Sequence, residues 1–240
     1  MTSQQIEIMR EKNPFMALND IVYEILLQEI MNFRIQPGSR ISENNIAKEL
    51  GVSRSPVKAA LEKLQIKNYI TVQNNRYYAA VFSSREYENI TDFAVMLDSY
   101  AAGEAAVKIT PAQLEELYSM GRRLQKLYRR SIDGCVSSGY HELLDTELEF
   151  HTYIVKVADN ELLTGIYDEL KYKLFRYRAY LLFSPPAGIY EMLENDHVVL
   201  CDTLSLGDRE VAAAAAKRHL SISRAVIARH GLMNMVCDDR

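Results

Sequence analysis

The feature that most restricts this chain's fold is a change of punctuation near residue 85. From 16 to 82 the apolar runs are short and end in a strand-like tail. From about 85 onward nearly every stretch has helical period, and Gly and Pro are confined to the gaps. The polar, helix-initiating "FSSRE" (82–86) marks the change. The chain is therefore expected to be mainly α, with a small N-terminal domain containing a β-hairpin and a C-terminal all-α helical bundle. The expected divisions are an N-terminal extension (1–15), the small domain (16–82), the bundle (83–232) and a C-terminal tail (233–240).

Three helices and a hairpin are predicted in the first part. "LNDIVYEILLQEIMNFRI" (18–35) carries Ile21, Ile25, Leu26, Glu29 and Ile30 at helical spacing and is stopped by "QPGS" (36–39). "SENNIAKELG" (42–51) opens on Ser42 as N-cap and closes on Gly51, a natural left-handed position. "SRSPVKAALEKLQIKN" (53–68) starts with Ser53 or Ser55 as cap and tolerates Pro56 in its first turn. "YITVQNNRYYAAVF" (69–82) alternates around Asn74-Asn75; asparagine accepts positive φ, so the segment reads as a hairpin.

Two short helices joined by "LGVS", the second opening on polar and basic residues, have the form of a helix-turn-helix, and the hairpin supplies a wing. The second helix of this motif enters the major groove N-terminus first. Ser53, Arg54, Ser55 and Lys58 are then the DNA-reading candidates, while Val57, Leu61 and Leu64 face inward. Arg54 suits a guanine edge or a phosphate, Lys58 a phosphate or guanine, and Arg76 at the wing tip the backbone or minor groove. The alternative is a plain helical hairpin with solvated basic side chains. Charge is unevenly spread in the direction DNA binding requires. Residues 1–82 hold 10 Lys+Arg against 8 Asp+Glu, a balance of +2, and the remainder 18 against 24, a balance of −6.

"PGSRISENNIAKELGVSRSPVKAALEKLQIKNYITV" resembles the winged-helix head of GntR-type bacterial transcription regulators over about 20–82. The shared features are the PG turn, the "E..IA..LGVSR.PV..AL..L" core and the strand that follows. The resemblance implies a homodimer that binds palindromic double-stranded operator DNA. It also implies contacts from an Arg in the first helix of the motif, an Arg and a basic residue of the recognition helix, and a Gly at the wing tip. Arg54 and Lys58 match, whereas Asn44 stands at the first-helix Arg and Asn75 at the wing Gly. Asn44 can still hydrogen-bond a base or phosphate with one charge contact fewer, and Asn75 keeps the turn while letting DNA approach less closely.

The second part reads as helices over about 85–108, 111–132, 138–158, 161–183, 188–206 and 208–230. Thr110-Pro111-Ala112-Gln113 forms a capping box with Pro at the first helical position. Three of these helices each carry a histidine on a dry face. His151 lies among Leu144, Leu148, Ile154, Val155 and Ala158, with Glu147 four residues earlier on the same side. His197 lies among Tyr190, Leu193, Leu200, Cys201 and Leu204, and His219 among Ala212, Ala215, Ala216, Ile222, Ser223 and Val226. Each buried polar group needs a partner. Imidazoles and a carboxylate converging inside a bundle suit a divalent transition metal, whether zinc, nickel, manganese or iron, with positions open for water or an acidic ligand. The alternatives are hydrogen-bonded core histidines, or imidazoles that hold an organic effector directly. Cys201, one turn after His197, either approaches the same centre or packs as a small hydrophobe.

"ELEFHTYIVKVADNELL" and "DHVVLCDTLSLGDREVAAAAAKRHL" are similar to the helical effector domain of the FCD branch of the GntR regulators, over about 90–232. That resemblance implies a metal, zinc foremost, held by Glu147, His151, His197 and His219, with Glu where the acid is normally Asp. It also implies a small carboxylic-acid effector. The Arg that clamps such an acid in many members falls at Ala94, and Arg176 and Arg178 on a nearby helix are the candidates to replace it. No stretch approaches the ~18 uninterrupted apolar residues of a membrane helix, and the N-terminus lacks an apolar signal core. Three cysteines without paired spacing fit a reducing compartment. The expectation is a cytoplasmic, dimeric regulator, a repressor and not an enzyme, whose operator binding responds to metal and acid. The alternatives are a metal that is purely structural or is itself the signal, and a helical-bundle metalloenzyme fused to a DNA-binding head.

Overall fold

The computed structural model describes residues 1–81, 84–132, 136–183 and 188–230; the side chains of 84, 136–141, 178, 180, 181, 183, 223 and 226–230 lie outside that description. The chain divides into two compact units between Phe82 and Ser83.

The first unit begins with a helix where an extension was expected. Thr2 and Gln5 close a capping box at the start of α1 (Ser3–Lys12), and Ile6 is buried. Helix α2 (Leu18–Met31) stops four residues short of the predicted end. Phe33 takes φ 53°, and the N–H groups of Arg34 and Ile35 turn back to the Glu29 carbonyl at 3.0 and 3.1 Å. Ser42 caps α3 (Glu43–Leu50) by accepting from the Asn45 N–H, and Gly51 ends it at φ 68°. Helix α4 (Arg54–Ile66) buries Val57, Leu61 and Leu64 against α2, whose Ile21, Ile25 and Leu26 complete the core. Strands β2 (Ile70–Gln73) and β3 (Arg76–Ala79) pair antiparallel across Asn74 and Asn75, at φ 49° and 57°, the two-residue turn that favours asparagine. The sequence reading missed a third strand, β1 (Arg40–Ile41), which pairs with β3 to give the order β1-β3-β2. Three helices and a small sheet of this order form a winged helix-turn-helix.

The second unit is helical throughout its described residues: α5 (Ser84–Lys108), α6 (Pro111–Ile132), α7 (Val136–Val157), α8 (Glu161–Phe183), α9 (Ile189–Leu193), α10 (Asp196–Ser205) and α11 (Arg209–His230). Thr110 and Gln113 exchange the expected capping-box bonds at 2.9 and 3.3 Å. Helix α11 lies along α5, and Gly103 permits the approach: a Cβ there would stand 3.1 Å from the Arg209 carbonyl oxygen. The helix expected over 188–206 is two helices. Glu194 and Asn195 separate them, and their side chains meet α6, with Arg129 2.7 Å from Glu194 and Gln125 2.6 Å from Asn195. The break starts α10 at Asp196, so His197 stands in its first turn. The expected stop at Pro185-Pro186 and the C-terminal tail lie outside the described residues.

Candidate metal centre and DNA-binding surface

Three helices bring four of the predicted side chains together inside the second unit. Helix α7 contributes Glu147 and His151, α10 His197 and α11 His219, all at most 3% exposed. The Nε2 atoms of His151 and His219 are 3.3 Å apart. Glu147 Oε1 lies 2.9 Å from His197 Nε2, and its Oε2 lies 3.7 Å from His151 Nε2. One nitrogen from each of the three imidazoles falls within 4.8 Å of the other two.

Carboxylates stand behind two of the rings. Asp196 pairs with His219 Nδ1, and Arg218 holds the other Asp196 oxygen at 2.8 Å. Asp98, from α5, stands 3.6 Å from His151 Nδ1. A carboxylate beside Nδ1 favours the tautomer with its proton there and leaves a lone pair on Nε2. The two Nε2 atoms stand 3.3 Å apart. Neither nitrogen of buried His197 has a hydrogen bond; Glu147 is close to its Nε2 but off the direction of a bond. Leaving such polar atoms unsatisfied in a core costs about 1–3 kcal/mol each. A tetrahedral zinc with bonds of about 2.0–2.1 Å spaces its nitrogen ligands about 3.3 Å apart. The donor set and its orphaned nitrogens therefore fit a divalent cation.

Burial alone pushes the Asp196 carboxyl up, but the hydrogen bond from His219 and the charges of His219, His197 and Arg218 more than offset it and hold the group below its usual range. Tyr128 donates to Glu147 Oε1 at 2.5 Å, fixing the carboxylate from α6. Cys201 is not part of the centre. Its sulfur packs where Gly121 leaves room on α6, 3.5 Å from the position of a Cβ, and burial pushes its thiol up to about 12.

Sequence reasoning overlooked Asp98, Tyr128 and Asp196. Asp98 carried the same signal as His151, a polar residue on the dry face made by Ala94, Leu97, Ala101 and Ala102. Of the effector candidates, Arg176 is buried on α8 but lines neither cavity beside the histidines. The Arg178 side chain lies outside the described residues.

The first unit presents its candidates differently. Asn44, Ser53, Arg54, Ser55, Lys58, Asn75 and Arg76 are all exposed. Ser53 is the N-cap residue of α4, so Arg54, Ser55 and Lys58 occupy its first turns. Arg54 lies 3.3 Å from half-buried Glu43 and Lys58 3.8 Å from exposed Glu62, contacts at the surface that solvent screens.

Comparison with known proteins finds a match for each unit. Residues 18–76 match the bacterial regulatory proteins of the gntR family, and residues 89–221 match the FCD domain. The HTH-type transcriptional repressor RspR of Escherichia coli strain K12 is 29% identical over 212 residues, covering 87% of this chain and 88% of that one. The gluconate operon transcriptional repressor of Bacillus subtilis strain 168 is 26% identical over 175 residues, 73% of this chain and 68% of that one. The solved structure of Escherichia coli McbR/YncC shares the fold, with a TM-score of 0.75 and 21% identity over 90% of this chain and 99% of that one. With one pattern on its winged helix-turn-helix and the other over more than half its length, the chain belongs to the GntR family of bacterial transcription regulators, in the branch that carries an FCD domain.

Proposed function

We propose that this transcription regulator is a repressor whose helical unit holds a divalent metal, zinc foremost, through Glu147, His151, His197 and His219, and that a small organic acid reaching the metal alters operator binding. The observation that carries this reading is the pair of Nε2 atoms facing each other at 3.3 Å, with Asp98 and Asp196 behind the rings. The metal would supply a positive centre with positions open to effector oxygens. The chain's own contribution is to orient the imidazoles, keep the centre dry and tie three helices to it. An effector that binds two arrangements of those helices unequally shifts their populations, and by linkage changes DNA affinity by the same factor that DNA changes effector affinity.

DNA would be read by Ser53, Arg54, Ser55 and Lys58, with Asn44 beside them and Asn75 and Arg76 on the wing. A homodimer suits this role, and α5 exposes an apolar row for a second copy: Phe93, Met96, Tyr100 and Val107. The test is a mobility shift on the promoter upstream of the protein's own gene, with and without chelator and candidate acids. The expected result is a shift that chelator or acid changes. Absence of a shift at every salt concentration overturns the reading as applied to that promoter.

A further inference from the structure

A second cavity adjoins the histidines, and its chemistry is unlike that of a carboxylate-binding site. It has a volume of about 50 Å³, several times the ~10–15 Å³ that one water requires. Its walls are chiefly Tyr87, Ile90, Tyr167, Leu174, Phe175 and Tyr177, with Ala94 among the smaller contributors. Among the described residues no Lys, Arg or His lines it, and its one acidic group is Asp98. Asp98 and Leu220 also line the smaller hollow, about 10 Å³, that holds His151 and His219. Asp98 therefore stands where the aromatic cavity meets the centre, 12% exposed.

An anion placed in this cavity would meet a carboxylate and aromatic side chains, with no cation among the described side chains of the lining to offset the repulsion. A cation would meet both favourably, since ammonium groups are attracted to aromatic faces and to carboxylates, more strongly where water is scarce. Tyr87 and Tyr177 both line the cavity, with ring centroids 5.1 Å apart and planes at 53°.

We propose that the effector carries an ammonium group, seated beside Asp98 in this aromatic cavity. The inference rests on the reading of the helical unit as an effector domain with a metal. Combined with an acid group directed to the metal, it makes the effector zwitterionic, of the amino-acid class.

The experiment is titration calorimetry of the full chain, zinc-loaded and again in chelator, with three matched probes: leucine, its deaminated acid isocaproate, and its decarboxylated amine isoamylamine. Isoamylamine binds at least about tenfold more tightly than isocaproate in chelator, a ratio of the size that one desolvated charge contact supplies. Asp98→Asn removes that preference in chelator, where any effect on metal affinity plays no part. Tyr87→Leu, which leaves every charge in place, weakens isoamylamine about fivefold and isocaproate by less. Zinc tightens leucine and leaves isoamylamine unchanged. Isocaproate binding as well as isoamylamine, no binding by any probe, or an unchanged preference in Asp98→Asn overturns the proposal. If zinc fails to tighten leucine while the amine preference stands, the metal reading fails and the ammonium site survives.

Discussion

The two units keep their polar candidates in opposite environments. In the winged helix-turn-helix, Arg54, Lys58 and Arg76 are exposed, and the fold beneath them closes on Val57, Leu61 and Leu64 packed against α2. In the helical unit, Glu147, His151, His197 and His219 take positions that leucine would otherwise fill, and Asp98, Asp196 and Tyr128 surround them. An exposed site can change without disturbing the fold that carries it. A buried polar site is part of the fold, because each of its groups must be satisfied or destabilises the core. Stability and function should therefore separate in the first unit and move together in the second.

The largest effect expected is loss of metal from His197→Ala. Wild-type protein purified without a His-tag should retain close to one divalent ion per chain and the variant almost none, by elemental analysis. Chelation should also lower the melting temperature of the wild type but not of the variant, since a ligand at a thousandfold its Kd contributes about 4 kcal/mol to the folded state. Equal and low metal content in both proteins would sink the coordination hypothesis and reduce the contrast between units to one of burial.

Next in size, Arg54→Ala should lower operator affinity by about tenfold to a hundredfold, the worth of one bidentate base contact, measured by fluorescence anisotropy at fixed salt. Its melting temperature and metal content should stay close to wild type, because the Arg54 guanidinium is exposed and its pair with Glu43 lies at the surface. A clear loss of stability would break the comparison from the other side, showing that an exposed reading residue also holds the fold.

How far sequence alone reached follows the same division. Ser42, Gly51, Thr110–Gln113 and Asn74-Asn75 act through bonds within a few residues, and all were legible. The three histidines were legible because a single helical wheel shows a polar residue on a dry face. What escaped depends on partners distant in the chain. Strand β1 exists only through Tyr77 and Tyr78. The contacts of Glu194 and Asn195, at the break between α9 and α10, are with Arg129 and Gln125 on another helix. The polar role of Tyr128, which packs like any buried aromatic, appears only when Glu147 is placed beside it. Asp98 is different: its position on the dry face of α5 was readable by the wheel that found His151.

Asp196→Asn sharpens the comparison within the buried site. The substitution should weaken metal binding by about tenfold to a hundredfold, as removal of a carboxylate behind a ligating imidazole does, read by competition with a chromogenic chelator. In metal-free protein it should also lower the melting temperature at neutral pH. Asp196 is held below the usual carboxylate range, so its contribution is present above the unfolded-state pKa and is lost as pH falls through the folded one. The gap between the two proteins should therefore narrow below about pH 4. A gap that persists in acid would show that Asp196 supports the fold by packing and not by charge.

The smallest effect is the most discriminating test of the exposed unit. Lys58 is exposed on α4, and its contact with Glu62 at 3.8 Å is an i,i+4 pair on a helix surface. Lys58→Ala should shift stability by no more than about 0.5 kcal/mol. If Lys58 meets phosphate, its loss should weaken specific and non-specific DNA by the same few-fold factor and reduce the salt slope of binding by about one. If it meets a guanine edge, specific binding should fall while non-specific binding changes only through the lost charge. Measured across two salt concentrations on operator and random duplex, one substitution thus separates positioning from reading on a helix whose inner face already carries the stability.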